Sequence, residues 1–248
     1  MNDPVFVRGL AKTFYDEARG EVHAVQGIDF EGRAGEIFGL LGANGAGKTT
    51  TLRMLSTVLA PTAGSASVMG YDVIADPALV RRNLGFYSAS TALYPRLTAR
   101  ETIEFFARIN QYPKDKTAER VNYLVDRFGI SRYANARIDR LSTGMKQKVS
   151  IARTVAHDPP VLIFDEPTVG LDVLNALEMH EVIREFRAHG KTIVFSTHVM
   201  SEAEKLCDRI AIIHNGRLLA CDTLDRLRSL TGIHYLEDIF LHYVKGQA

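Results

Sequence analysis

The sequence predicts an α/β fold with a mainly parallel sheet, on three observations. The short apolar runs Ile37–Leu41, Val161–Phe164 and Thr192–Ser196 have the length and near-continuous hydrophobicity of buried strands. Helical patterns separate these runs, and parallel strands need such crossovers. The first run also leads straight into Gly42-Ala43-Asn44-Gly45-Ala46-Gly47-Lys48-Thr49, a G-x-x-x-x-G-K-[ST] phosphate-binding loop. That loop works only with a strand before it and a helix after it.

In chain order, Val5–Leu10 and His23–Phe30 are β-like runs separated by turns. Lys48 to Leu59 reads as a helix that Pro61 and Gly64 end. From Leu93 the texture changes. Glu101–Asn110 carries Ile103, Phe105, Phe106 and Ile109 on a broad apolar face, and Thr117–Phe128 places Val121, Leu124, Val125 and Phe128 at amphipathic spacing. Residues 92–153 therefore read roughly as a helical insertion within one domain spanning residues 1–248. Strand–helix alternation then returns. Met179, Val182, Ile183 and Phe186 mark one face of a helix that Gly190 closes. Ile210–Ile213 and Leu218–Ala220 flank Asn215-Gly216, a hairpin turn pair.

The bulk properties narrow the function. The 248 residues are 46% hydrophobic, enough for one large α/β core or a domain with a subdomain. With 30 Lys+Arg against 29 Asp+Glu the net charge is +1, so no basic excess points to nucleic acid. Met1-Asn2-Asp3-Pro4 has neither the basic start nor the apolar run of a secretory signal. No stretch approaches the ~18 apolar residues of a membrane helix. The expectation is a soluble chain that works at a membrane only through a partner. Cys207 and Cys221 have neither metal nor redox spacing and are expected to be buried, reduced thiols.

The phosphate loop explains its own composition. Glycines Gly42, Gly45 and Gly47 let backbone N–H groups curl around a polyphosphate, with Asn44 and Thr50 in or beside the cradle. Lys48 supplies a point charge for the β- and γ-phosphates, Thr49 offers a hydroxyl to Mg²⁺, and the following helix presents its positive end. Downstream, Phe164-Asp165-Glu166-Pro167 closes a strand with two adjacent acids. Phosphoryl transfer to water needs a carboxylate near the metal and a group that aligns or deprotonates the water. Asp165 is the candidate for the first role and Glu166 for the second. An isolated acidic pair at a strand end is more often a solvated turn, and it is Lys48 that reverses this reading.

At this point the chain resembles the ATP-binding cassette (ABC) ATPases over nearly its whole length. Leu141-Ser142-Thr143-Gly144-Met145-Lys146-Gln147 resembles the family signature, Thr168-Val169-Gly170-Leu171-Asp172 its D-loop, and Ser196-Thr197-His198 its switch histidine segment. The resemblance implies a P-loop NTPase core with a mainly parallel sheet, an antiparallel β subdomain and an α-helical insertion. It implies ATP and Mg²⁺ as cofactors, and an ATP-dependent head-to-tail dimer. In that dimer Ser142 and Gly144 of one cassette meet the γ-phosphate of nucleotide held by the other, and Asp172 of the D-loop is a further ATP-binding candidate. Ser142 is also suited to a plain helix N-cap, and the two roles are compatible. His198 would contact the γ-phosphate and steady the attacking water. Phe14 falls where the family places an aromatic ring against adenine, with Tyr15 as competitor and core packing as the alternative.

The sequence departs from the family in three places. The loop that usually carries a glutamine reads Leu84-Gly85-Phe86-Tyr87-Ser88-Ala89-Ser90-Thr91, with Ala89 near the expected position. Our hypothesis is that Ser88 or Ser90 acts through a bridging water, with slower hydrolysis. Ala89→Gln leaving turnover and Mg²⁺ dependence unchanged would count against it. The signature also carries Thr143 and Met145 where Gly and Gln are common. Thr143 stiffens the turn and keeps its backbone donor.

Glu36–Gly42, Leu93–Thr98 and Leu236–Phe240 resemble single-cassette ATPases of bacterial exporters related to Nat-type sodium-efflux systems. That branch implies a separately encoded transmembrane permease, with Na⁺ as one cargo the likeness suggests, and a peripheral place on the cytoplasmic face of the inner membrane. Tyr87, Leu93, Tyr94 and Arg96 are candidates for the groove that receives the permease, or else they pack the junction between core and insertion. Two rival readings follow from the same motifs. A soluble ABC-type ATPase acting on nucleic acid or ribosomes is disfavoured by one cassette, no heptad run and no basic surplus. Another P-loop enzyme, such as a small-molecule kinase, would not need the signature or switch segments.

Overall fold

The computed structural model describes residues 3–18, 20–88 and 91–246. Strands β1 (Val5–Asp16) and β2 (Gly20–Gly32) form a long antiparallel pair. β3 (Ile37–Leu41) leads through the phosphate loop into α1 (Lys48–Leu55). β4 (Ala63–Val68) and β5 (Tyr71–Asp72) extend the first pair into a four-stranded antiparallel sheet, ordered β2-β1-β4-β5. α2 (Pro77–Asn83) and β6 (Leu84–Ser88) follow, then helices α3 (Ala99–Ile109), α4 (Lys114–Arg127) and α5 (Thr143–Thr154). The chain re-enters the second sheet through β7 (Val161–Asp165), α6 (Val173–Ala188), β8 (Thr192–Thr197), α7 (Met200–Leu206), β9 (Arg209–His214) and β10 (Arg217–Asp222). It closes with α8 (Leu224–Thr231) and α9 (Leu236–Lys245).

The second sheet runs β10-β9-β3-β8-β7-β6, parallel throughout except for the β10 edge. Its strands read as continuous apolar runs because both faces are covered. Leu162 and Phe164 of β7, with Ile193 and Phe195 of β8, face a core shared with Ile103, Leu124 and Val149 of the helices. Val161, Ile163 and Val194 point the other way, into a core shared with Leu52, Met54 and Leu55 of α1 and the antiparallel sheet. Phe164 is fully buried between the rings of Tyr87 and Phe186. Truncating it to Ala should cost about 3–5 kcal/mol.

Three expectations need correction. The α1 helix stops at Leu55 instead of Leu59. Thr57 enters the left-handed region (φ 61°), and the amides of Val58 and Leu59 both turn back to donate to the Arg53 carbonyl. Leu84–Ser88, read as loop, is the edge strand β6, pairing in register with Val161–Asp165 of β7. Cys207 and Cys221 are unpaired as expected but only partly buried. The Cys207 sulfur packs so close behind β3 that a Cβ on Gly39 would sit 2.5 Å from it. The broad apolar face of α3 is covered only in part: Phe105 and Ile109 are 40% and 61% exposed, while Ile103 is buried.

No helix among the described residues is long and apolar enough to cross a membrane.

Candidate nucleotide-binding and hydrolysis site

Parallel strands gather their following loops at one edge of the sheet, and ligands of open α/β sheets bind there. β3, β8 and β7 are neighbours, so three chemistry-bearing segments converge at their carboxyl ends: the phosphate loop, His198 and the Asp165-Glu166 pair.

The phosphate loop is shaped by what surrounds it. Gly47 caps α1 at φ 104°, a conformation that L side chains rarely adopt, and a Cβ there would lie 2.5 Å from the Ala24 carbonyl oxygen of β2. A Cβ on Gly42 would lie 2.4 Å from the Ile213 carbonyl oxygen. The Asn215-Gly216 turn braces the loop from below, with the Gly216 amide donating to the Ala46 carbonyl (2.9 Å). Asn44, Gly45, Gly47, Lys48, Thr49 and Thr50 line a cleft of about 240 Å³, together with Ala24 and Glu166. The first turn of α1 contains no acidic residue, so the positive end of the helix is left uncompensated toward that cleft.

The Lys48 side chain is 4% exposed. Its Nζ donates to the carbonyls of Gly42 (2.7 Å) and Ala43 (3.1 Å) and lies 3.0 Å from Glu166 Oε1. Glu166 Oε2 in turn lies 3.2 Å from His198 Nδ1. One carboxylate thus sits between the Lys48 ammonium and the His198 ring. Glu166 holds φ 46°, unusual for a residue with a side chain, and its amide is fixed by the Ser196 hydroxyl (3.0 Å). Strain of this kind is found where a side chain must be aimed.

Asp165 accepts hydrogen bonds from the hydroxyls of Thr49 (3.1 Å) and Ser196 (2.8 Å). Burial pushes its carboxyl above the ordinary range and neighbouring Glu166 adds to this, while the two hydroxyls act against it. A buried, hydroxyl-flanked carboxylate beside a second acid is a place where a hard cation would relieve the electrostatics. The donor set is all oxygen, and no cluster of three or more His, Cys, Asp or Glu among the described residues could hold a metal alone. The all-oxygen donor set of Thr49 and Asp165 fits Mg²⁺, which binds through one or two protein oxygens and completes its shell with phosphate and water. Ser88 is the register partner of Asp165 in β6, so the sheet places it beside this carboxylate. Ala89 and Ser90 lie outside the described residues.

Other sequence candidates stand apart. Ser142 and Gly144 open α5, where the Ser142 hydroxyl accepts from the Met145 amide (3.3 Å) as an N-cap, and neither residue borders the phosphate cleft. Asp172 caps α6, accepting from the Asn175 amide (2.9 Å) and side chain (2.6 Å), and these bonds hold its carboxyl below the usual range. Phe14 is 40% exposed on β1, opposite Val22, with the Lys12 ammonium 5.3 Å from its ring centre. It too lies outside the cleft lining. Ser196, to which the sequence assigns no role, links the two acids: its hydroxyl donates to Asp165 and accepts from the Glu166 amide. Nothing local in the sequence marks Ala24 or Gly216 as walls of the loop.

Comparison with known proteins decides the family. Residues 25–169 match the ABC transporter family. The chain belongs to that family. It is 38% identical to the ABC transporter ATP-binding protein NatA of Bacillus subtilis (strain 168), over 92% of this chain and 93% of the relative. It is 36% identical to the daunorubicin/doxorubicin resistance ATP-binding protein DrrA of Streptomyces peucetius, over 97% of this chain and 71% of that one. Among solved structures, one described as the ATP binding subunit of an ABC transporter superposes with a TM-score of 0.87 at 30% identity, covering 97% of this chain and 99% of the other. A dimeric bacterial ABC transporter cassette, MJ0796, superposes with a TM-score of 0.79 at 25% identity, covering 88% and 98%. The cassette is therefore an ATP-binding ATPase with the ABC fold expected from its motifs.

Proposed function

We propose that this cassette hydrolyses ATP to drive a separately encoded membrane permease in export. The convergence of Lys48, Asp165, Glu166 and His198 at one sheet edge carries this reading. Lys48 and the loop amides bind the phosphates, Glu166 aligns and deprotonates the attacking water, and His198 steadies the γ-phosphate. Thr49 and Asp165 would hold Mg²⁺, which supplies charge neutralisation on the phosphates when bound. In this reading residues 1–248 form one cassette, with α3–α5 as its inserted helical lobe.

Ser142, Gly144 and Asp172 sit away from the phosphate cleft of their own chain, so they serve nucleotide held by a second cassette, head to tail. Phe14 supplies the adenine platform from the β1–β2 edge. The permease enters a groove of about 530 Å³ lined by Tyr87, Leu93, Pro95, Ile138, Gln147 and Leu171, among others. Of the four groove candidates, Tyr87 is 3% exposed and serves mainly as packing against Phe164, and Leu93 lines the wall. Tyr94 stands outside on the rings of Phe105 and Phe106, and Arg96 does not border the groove. The cassette lies at the cytoplasmic face of the inner membrane through that partner. Export follows from relatives described as resistance and Nod factor export proteins. The cargo touches the permease and leaves no mark on this chain.

Affinity purification of the tagged chain from gently solubilised native membranes tests this. A co-purifying polytopic membrane protein is expected. Ribosomal or DNA-bound material without a membrane protein would overturn the reading in favour of a soluble ATPase.

A further inference from the structure

Behind the switch histidine lies a buried carboxylate that the reaction itself does not use. Glu202, on α7, is 7% exposed. Its Oε2 accepts a 2.6 Å hydrogen bond from the hydroxyl of Thr197, the residue that immediately precedes His198. The same Thr197 oxygen accepts from the Val199 amide (2.9 Å), so both chain neighbours of His198 are tied to this one hydroxyl. Glu202 Oε1 faces Nε2 of His180 at 3.3 Å, and His180 is itself buried on α6, the helix that Asp172 caps. Thr168, in the segment between Glu166 and Asp172, also comes close enough to the Glu202 carboxylate to favour its charged form. Burial works to raise the Glu202 carboxyl, but the contacts with His180, Thr168 and Thr197 outweigh it and leave the group below its ordinary range.

A carboxylate taken out of water needs several donors, and these three come from three different elements. They are the end of the β8 strand, the loop after β7, and α6. Each leads directly to a group with a role at the nucleotide: His198, Glu166 and Asp172.

We propose that Glu202 is a positioning residue that locks the His198 segment to the Glu166–Asp172 loop, so that the switch histidine and the loop reaching the second cassette are set together. The inference rests on the role given to His198 above. Glu202 does not line the phosphate cleft and acts through Thr197 and Thr168. Glutamine at this position keeps the volume but removes the charge and replaces one acceptor oxygen with a donor, so the donors that met that oxygen must turn, change tautomer or lose their tie.

The test is a double-mutant cycle on steady-state ATP hydrolysis by the purified chain, with nucleotide affinity and thermal melting measured in parallel. Glu202→Gln should lower kcat by up to about 100-fold, the scale expected when a reacting group is displaced by mutation away from the chemistry. The ATP dissociation constant should stay within about threefold, because the phosphate loop is untouched. Placed on His198→Ala, the same substitution should lower kcat by less than it does in the parent, because the part of its effect that passes through His198 is already removed. Thr197→Val should reproduce the loss and the conservative Thr197→Ser should recover most of it. This pair decides the matter should Glu202→Gln melt early. Full additivity of Glu202→Gln with His198→Ala, or a parent-like kcat in both Glu202→Gln and Thr197→Val, would overturn the proposal. If His198→Ala alone leaves kcat at the parent value, the role of His198 has failed instead, and the cycle distinguishes the two.

Discussion

His157 gives the sharpest physical prediction. It follows α5, and burial holds its imidazole down at about 4 from an ordinary 6.5; the Arg120 charge lowers it further, while backbone contacts at Leu84 and Arg81 only partly offset this. The folded protein therefore keeps His157 neutral where the unfolded chain would take up a proton. Stability from this group is complete above 6.5 and falls as pH drops from 6.5 toward 4. With those two values, the loss between pH 7 and pH 5.5 is about 1.2 kcal/mol, and by pH 4 it reaches about 3 kcal/mol. Denaturant unfolding of the parent and His157→Gln at intervals from pH 7.5 to 4.5 isolates the effect. Other titrating groups cancel in the difference, and the lost packing shifts the level without the slope. The stability gap between the two proteins should close, or reverse, by about 1 kcal/mol on going from pH 7 to 5.5. A pH-independent gap would refute the assignment of a neutral His157 whose ring nitrogens are held away from water.

Three further outcomes follow. Lys48→Ala removes a buried cation from the phosphate cleft and should weaken ATP binding at least about tenfold, from the ~1.5–3 kcal/mol of a hydrogen bond to a charged group, as read by fluorescent-nucleotide titration. Gly47→Ala forces a Cβ against the Ala24 carbonyl at φ 104° and should abolish nucleotide binding; near-parent affinity would show that the loop yields easily. Glu166→Gln keeps the binding groups but loses the base, so saturating ATP should trap a dimer by light scattering, and a monomer under those conditions would count against a self-sufficient head-to-tail pair.

The segments that could be read in the sequence were those whose physics is local. The phosphate loop states its own chemistry, and β3, β7 and β8 announce themselves as apolar runs too short for helices. The edge strand β6 is not legible in the sequence because Gly85 and the serines after it look like loop. Only its pairing with β7, and the tight fit of Gly85 against Pro159 and the Thr154 carbonyl, reveal it. The antiparallel strand β4 is short and rich in small residues and β5 is only two residues long, so the pairing of β4 with β1, and of β5 with β4, supplies what their side chains do not. Phe105 and Ile109 show the limit of periodicity, since it cannot say which apolar residues a neighbour will cover. In the site, Lys48, Asp165 and Glu166 carried recognisable spacing. Ser196, Glu202 and His180 did not, because their roles arise from neighbouring strands and helices far apart in sequence.

The central claim is that Glu166 turns a bound nucleotide into a hydrolysed one. Phosphate release by the purified chain with ATP and Mg²⁺, parent against Glu166→Gln, tests it most directly. The account predicts Mg²⁺-dependent turnover in the parent and a fall of at least about 100-fold in the variant, with ATP still bound. Glu166→Gln hydrolysing ATP at the parent rate would contradict it.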